Sequence, residues 1–377
     1  MIKNIGGIKF NNFLIKLQYQ SQKDCIEVIN DQIKDTSINN FLKGQLKDCI
    51  KILELNILKF SKNIISYRIN LNLNNERISL YEEPIKRYNL LIIFHVEGQE
   101  SIIPVLWQVS TESSPVGILS NQIEELRIEL EQTVQGKSLK DKLKLPVILD
   151  QWPASHFVHE CFGHTSEADN YMEYACENGY SLGYRWSDYK FNVYDDPTLI
   201  GHKAYYGMDD EGEKSFRTQI IKEGIWSNLL HSSETKKKLQ AKGSCNGRKV
   251  SYDDIILPRM SITYMDKGNE NINDLISKIE YGLFCKGSWG GGSIGTKFVI
   301  RPSYGIIIKN GSLSNLIIRR FDIKGCKFEA AKNIVGSSNE LRIFNPVFGC
   351  DKNNQNNLSV TQGAPHIYFR ELNIYPI

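Results

Sequence analysis

The chain has 377 residues, with 46 lysines and arginines against 43 aspartates and glutamates, for a formal net charge of +3. Its 41% hydrophobic and 24% charged residues are an ordinary globular balance, which excludes a disordered or fibrous chain, and the length fits two domains at roughly 150 residues each. No apolar run approaches the roughly 18 residues that cross a bilayer, so no membrane span is expected, and the near-neutral charge gives no reason to expect nucleic acid as a partner.

Residues 22–58 are rich in helix formers, with Ile26, Ile29, Ile33, Leu42, Leu46, Ile50 and Leu53 at spacings near one helical turn. The stretch predicts two helices broken near Thr36-Ser37. From Ser66 to Leu73 apolar and polar residues alternate, which predicts a half-buried strand. Asn74-Asn75 predicts a turn before a second alternating run, Arg77 to Tyr81. Leu90 to Val96 and Ile102 to Val109 predict two further strands, and Asn121 to Gln135 a helix. The composition changes near Leu143-Lys144-Leu145-Pro146, beyond which glycines, histidines and aromatics become frequent. Short β-like runs follow at Lys297 to Ile300, Gly305 to Lys309 and Leu316 to Phe321. The expected fold class is α+β in two domains. Residues 1–143 form an N-terminal α/β sandwich-like domain without visible site chemistry, and residues 144–377 a β-rich domain carrying the motif described next.

Eight cysteines, at 25, 49, 161, 176, 245, 285, 326 and 350, show no CxxC pair and no regular spacing. The N-terminus, Met1 to Gly7, lacks the apolar core of a secretory signal. A reducing cytoplasm with free thiols, most of them small buried hydrophobes, is the expectation.

Three of the seven histidines fall within His156-Phe-Val-His159-Glu160-Cys161-Phe-Gly163-His164, which runs on through Glu167 to Asp169. A catalytic zinc site needs imidazole or thiolate ligands on a rigid element and a carboxylate to manage the proton of water. The common metalloprotease helix places its histidines four apart; here the spacing is HExxxH, with His159 and His164 five apart. On an undistorted helix, at about 100° per residue, those rings would diverge by about 140°. A π-type bulge would restore a common face, with Gly163 as the residue type that eases it. The pattern is therefore a metal site on a wound-open helix or no site at all. A third ligand is required, and spacing leaves His156, His202, His231, His366 or a cysteine open.

The motif, with Glu167 and Asp169 at the expected offsets, resembles that of the TldD/PmbA family of metallopeptidases. The resemblance continues in order through Asp195-Asp196-Pro197-Thr198, Met208-Asp209-Asp210-Glu211-Gly212, Phe216-Arg217-Thr218, Gly247-Arg248 and Pro258-Arg259-Met260. It covers roughly residues 145–377, whereas the first 140 residues match poorly and are shorter than the usual N-terminal region. The family's third ligand is a cysteine in a Cys-Gly-Lys-x-Gly-Gln segment. Here Cys350, Lys352 and Gln355 match it, while Asp351 and Asn354 replace glycines. Ser261-Ile262 likewise replaces the family's Thr-Asn.

What the resemblance implies is a zinc-dependent peptidase with His159, His164 and Cys350 as metal ligands and Glu160 as the catalytic base, acting on unfolded or leader-type peptides. Glu167 and Asp169 are expected to orient the ligand histidines. The implied partner is a PmbA-like subunit lacking the zinc motif, in a heterodimer, and maturation of a ribosomally made peptide is one implied role. The alternatives are a non-catalytic subunit of such a complex or an amidase-type activity. Gly287 to Ser293 is read as a loop that approaches a peptide or simply lies at the surface. Asp209-Asp210-Glu211 does not match an EF-hand, and Cys161 is assigned to packing.

Overall fold

The computed structural model describes residues 11–20, 25–29, 36–58, 63–98, 101–243 and 245–377; Met1 to Gly7 and Ile33, used above, lie outside them. The chain begins with a five-stranded antiparallel sheet in the order β2-β1-β3-β4-β5, made of β1 (Asn11–Gln20), β2 (Cys25–Ile29), β3 (Ile64–Glu76), β4 (Ile85–Glu97) and β5 (Ile102–Thr111). Alternation puts Leu90, Ile92, Phe94 and Val96 of β4 in one buried row. Helices α1 (Thr36–Leu53) and α2 (Pro115–Gln135) cover that row with Leu42, Leu46, Leu119, Leu126 and Leu130. Ser114 starts α2 by accepting from the Val116 amide, with Pro115 at the first helical position.

Four expectations fail here, two of them because strand pairing overrides a local signal. Cys25–Ile29 is a strand rather than helix, since it finds a partner in β1, from Lys16 opposite Ile29 to Gln20 opposite Cys25. Thr36-Ser37 opens a single helix instead of breaking two, the position where short hydroxyl residues are better tolerated than in a helix interior. Asn74-Asn75 does not turn, because β3 is paired on both edges there and runs on to Glu76. Arg77 to Tyr81 is a loop, not a strand. Its backbone is bound by the other half of the molecule, with Leu80 N donating to Asp210 Oδ1 and Arg248 to the Ile78 carbonyl.

Beyond α2 the short strand β6 (Lys137–Ser138) already pairs in a second, ten-stranded sheet, against Ser312–Arg319. The element that positions the site is β7 (Leu143–Leu149), which lies inside that sheet between Tyr281–Lys286, parallel, and Ile367–Pro376, antiparallel. Both faces of β7 are covered. Leu145, Val147 and Leu149 enter the main core with Phe157, Phe162, Trp186 and Trp226, while Ile148 joins a smaller core with Leu275 and Ile276. A six-stranded sheet that includes Val193–Asp195, Ile262–Met265 and Thr361–Ala364 completes this half. The apolar cores of the two halves are separate clusters, and polar contacts join the halves. Among the described residues no helix is long and apolar enough to cross a membrane.

Candidate metal centre

The helix bearing the histidines starts directly after β7. Asp150 begins it, accepting from the Gln151 amide at 2.8 Å, and is itself held by His366 Nε2 at 3.0 Å. Helix α3 (Gln151–Phe157) then widens into a π-helical turn over Val158–Gly163, and the chain returns to α-geometry at His164–Ser166. The His164 amide donates to the His159 carbonyl, five residues back. This i→i+5 bond stacks residues five apart on one face, and the two rings meet edge to face with centroids 4.9 Å apart. Gly163 serves this turn differently from the expectation. Its φ of −62° is one any residue adopts. What excludes a side chain is Met260, whose Sδ would lie 2.0 Å from a Cβ built at Gly163.

Cys350 comes from a hairpin of Cys350–Lys352 and Gln355–Leu358. Its two-residue turn is Asn353-Asn354, both with positive φ, at 48° and 64°. This is the left-handed pair that such a hairpin requires. Asparagine tolerates it better than most side chains, so Asn354 can stand where the resembled family has glycine. Gln355 ties the hairpin down, accepting from Val250 N and donating to the Ile255 carbonyl.

The hairpin delivers Cys350 Sγ to 3.3 Å from His164 Nε2. Ligand atoms of His159, His164 and Cys350 all lie within 4.8 Å of one another. Ligands about 2.0–2.3 Å from a common zinc lie about 3.3–3.8 Å apart, so small side-chain rotations suffice to fit an ion. The protein's own bonds leave room for one, since His159 Nδ1 is buried with no partner. Two imidazoles and a thiolate are a donor set that suits zinc.

Burial opposes charge on both Cys350 and His164, but each is the other's counterion. Close to His164, Arg259 and His159, Cys350 is held well below an ordinary thiol, and His164, facing Cys350 and Glu167, is pushed up to about 10. Their proximity thus favours a thiolate–imidazolium pair, whose proton a metal ion would displace.

Glu160 is buried, with Oε2 3.9 Å from His164 Nε2. Against it lies Gly291, in the glycine-rich stretch, where a Cβ would come within 3.2 Å of Glu160 Cγ. Glu167 is fully buried and accepts from His164 Nδ1 at 2.9 Å, from Asn170 Nδ2 and from the Met260 amide. Burial would raise its pKa, but Lys352, His164 and Arg259 hold it far below the usual carboxylate range. Asp169 reaches the same cluster through Lys352, at 2.7 Å.

The other candidate ligands lie elsewhere. His156 accepts from Gln362 Nε2 at 3.0 Å and packs on Trp152. His231 faces Thr235 Oγ1, and His366 joins Asp150 and Ser338. His202 has a buried Nδ1 away from the trio. Cys161 is buried in the main core. Asp209 and Asp210 accept backbone amides of Glu211, Glu213, Gly247, Leu80 and Lys249. Sequence reasoning missed Arg259, which donates to the Cys350 carbonyl at 2.6 Å. It also missed the part Lys352 plays, although both residues stand in segments that carry the resemblance.

The family profile described as the PmbA/TldA metallopeptidase C-terminal domain matches residues 142–375. A metalloprotease of Synechocystis sp. is 32% identical over 246 residues, 64% of this chain and 50% of that protein. A zinc metalloprotease TldD homolog of Saccharolobus solfataricus is 30% identical over 243 residues, 61% and 51% of the respective chains. The chain thus spans about half the length of these curated relatives. The crystal structure of TldE from Thermococcus kodakarensis superposes with a TM-score of 0.65 over 88% of this chain and 73% of that one. At 14% identity, that likeness speaks to the mixed α/β fold alone.

Proposed function

The chain belongs to the TldD/PmbA family of metallopeptidases, and on that premise we propose that it is a zinc-dependent peptidase with His159, His164 and Cys350 as ligands and Glu160 as general base. The observation that carries this reading is the convergence of three soft or borderline donor atoms within 4.8 Å beside a buried carboxylate. The zinc named for the Saccharolobus solfataricus relative agrees with that donor set. The ligand pair rides on the π-widened helix of the C-terminal half. Two separate apolar cores support a division into two domains near residue 143.

A bound zinc supplies a Lewis acid and lowers the pKa of a coordinated water to about 7. Glu160, beside the ligand atoms, would hold the proton of an attacking water as it adds to the scissile carbonyl and would pass it to the leaving amine. Glu167 fixes the His164 ring by accepting from Nδ1, so that Nε2 faces the thiolate. Gly291 keeps the space over Glu160 free of a side chain. Along the same lines the substrate is an unfolded or leader-type peptide, in the cytoplasm. The partner is a PmbA-like subunit without the zinc motif.

Metal analysis of the purified protein and of Glu160→Gln tests this. Stoichiometric zinc is expected in both, with cleavage of an unfolded peptide slowed about 10²–10⁴-fold in the variant. Wild-type protein without zinc would overturn the metal assignment. Undiminished cleavage by the variant would overturn the role of Glu160.

A further inference from the structure

We propose that Lys352 is a positioning residue of the metal centre, one that ties the carboxylate orienting His164 to the hairpin carrying Cys350. The inference rests on the zinc reading above. His164 and Cys350 are 186 residues apart and belong to different elements, so nothing local holds one at a set distance from the other. The hairpin reaches the His164 ring directly at Nε2 and, through Glu167, at Nδ1. Cys350 Sγ meets Nε2 at 3.3 Å, and Lys352 Nζ donates at 3.0 Å to Glu167 Oε2, the oxygen that lies 2.9 Å from Nδ1. Cys350, His164, Glu167 and Lys352 therefore close a ring of contacts across the two elements.

The ammonium group is fully committed to this arrangement. Its side chain is 6% exposed. Its three acceptors are Glu167 Oε2, Asp169 Oδ1 at 2.7 Å and the Pro258 carbonyl at 3.0 Å, which matches the three protons it can donate. A buried ammonium is costly unless it is paired and hydrogen-bonded, and an apolar side chain would fill the space without that cost. What the charge adds is a fixed place for Glu167. Without Lys352, Glu167 Oε2 keeps only the neutral Asn170 amide and the His164 ring itself as partners, while Arg259 Nε lies 3.9 Å from the other oxygen. Glu167 would then be held less firmly towards His164, and the ring with it.

Zinc affinity is measured by chelator competition, and ligand geometry by the visible spectrum of the cobalt-substituted protein, for wild type, Lys352→Met, Glu167→Gln and the double variant. Lys352→Met should bind zinc about 10–100-fold more weakly, the usual cost of losing a partner that orients a ligand, with altered cobalt bands. Added to Glu167→Gln, it should cost almost nothing more, because it acts through Glu167. Wild-type affinity in Lys352→Met would overturn the proposal, as would losses that multiply in the double variant. If Lys352→Met does not fold, Lys352→Gln, which keeps a donor, should show an intermediate loss, and an unchanged affinity there would be equally fatal. Absence of zinc from the wild type would remove the zinc reading and this inference together. Tight wild-type binding with an indifferent Lys352 would remove this inference alone.

Discussion

Two regions of the C-terminal half bury carboxylates, and they satisfy them in opposite ways. Asp195 is fully buried, and its oxygens accept from Ser261 N, Ser261 Oγ, Thr263 Oγ1 and Asn246 Nδ2. These donors are neutral and come from two chain segments, so the carboxylate is a knot in the scaffold. Glu167 is equally buried but is held mainly by groups that carry charge: His164, Lys352 and, more distantly, Arg259. Around it the hydrogen bonding does not close, because His159 Nδ1 has no partner and Cys350 Sγ points back at imidazole. Both regions look alike as acidic residues in a motif. What separates scaffold from site is whether the surrounding donors and acceptors are used up by fixed neutral partners or converge on one point that a metal ion could take.

The comparison makes Cys350 the most sensitive position. Cys350→Ser should weaken zinc binding about a thousandfold, roughly one ligand's share of a zinc site's binding energy, whereas Cys176→Ser, at an exposed thiol, should leave it unchanged. Equal zinc content in the two would show that the site is drawn around the wrong residues. Asp195→Ala should do the converse. It leaves several buried donors without an acceptor and should lower unfolding stability by about 3 kcal/mol in denaturant titration, while the protein that remains folded binds zinc as tightly as wild type. A large loss of affinity instead would mean that scaffold and site are not separable.

The smallest effect concerns His156, the motif histidine outside the trio. Burial, helped by nearby His159, lowers its pKa to about 3. Between that value and about 6.5 the unfolded chain binds a proton there and the folded chain does not, so stability falls as pH falls through this window, by at most about 1.4 kcal/mol per unit. With metal removed by chelator, urea titrations from pH 6.5 to 4.5 should show a shallower slope in His156→Gln than in wild type. Parallel slopes would mean that His156 is protonated in the fold.

Part of the donor set was legible in the spacing, since histidine and glutamate stand side by side and Glu167 follows His164 by about one helical turn, whereas Cys350 came only from the family resemblance. The left-handed turn at Asn353-Asn354 was not foreseen, since Asn354 read only as a departure from glycine. Other features were hidden because they depend on what lies opposite. Cys25–Ile29 has helical spacing yet pairs with β1, and Asn74-Asn75 has turn chemistry yet sits between two strands. Gly163 invites a conformational explanation, while its constraint is the sulfur of Met260, nearly a hundred residues away. Arg259 and Lys352 carry no local sign that they would converge on Glu167.

By itself, then, the sequence determined the chemistry on offer: two imidazoles, a thiolate and an adjacent carboxylate, in an order that resembles one metallopeptidase family. Residue type and short spacing dictate donor character and helical phase for the histidines and Glu160, while the thiolate was singled out by the resemblance alone. Only the tertiary structure decided which donors meet. A side chain reaches a few ångströms, and placing Cys350 Sγ 3.3 Å from His164 Nε2 across 186 residues depends on β7, the widened helix turn and the hairpin all packing at once.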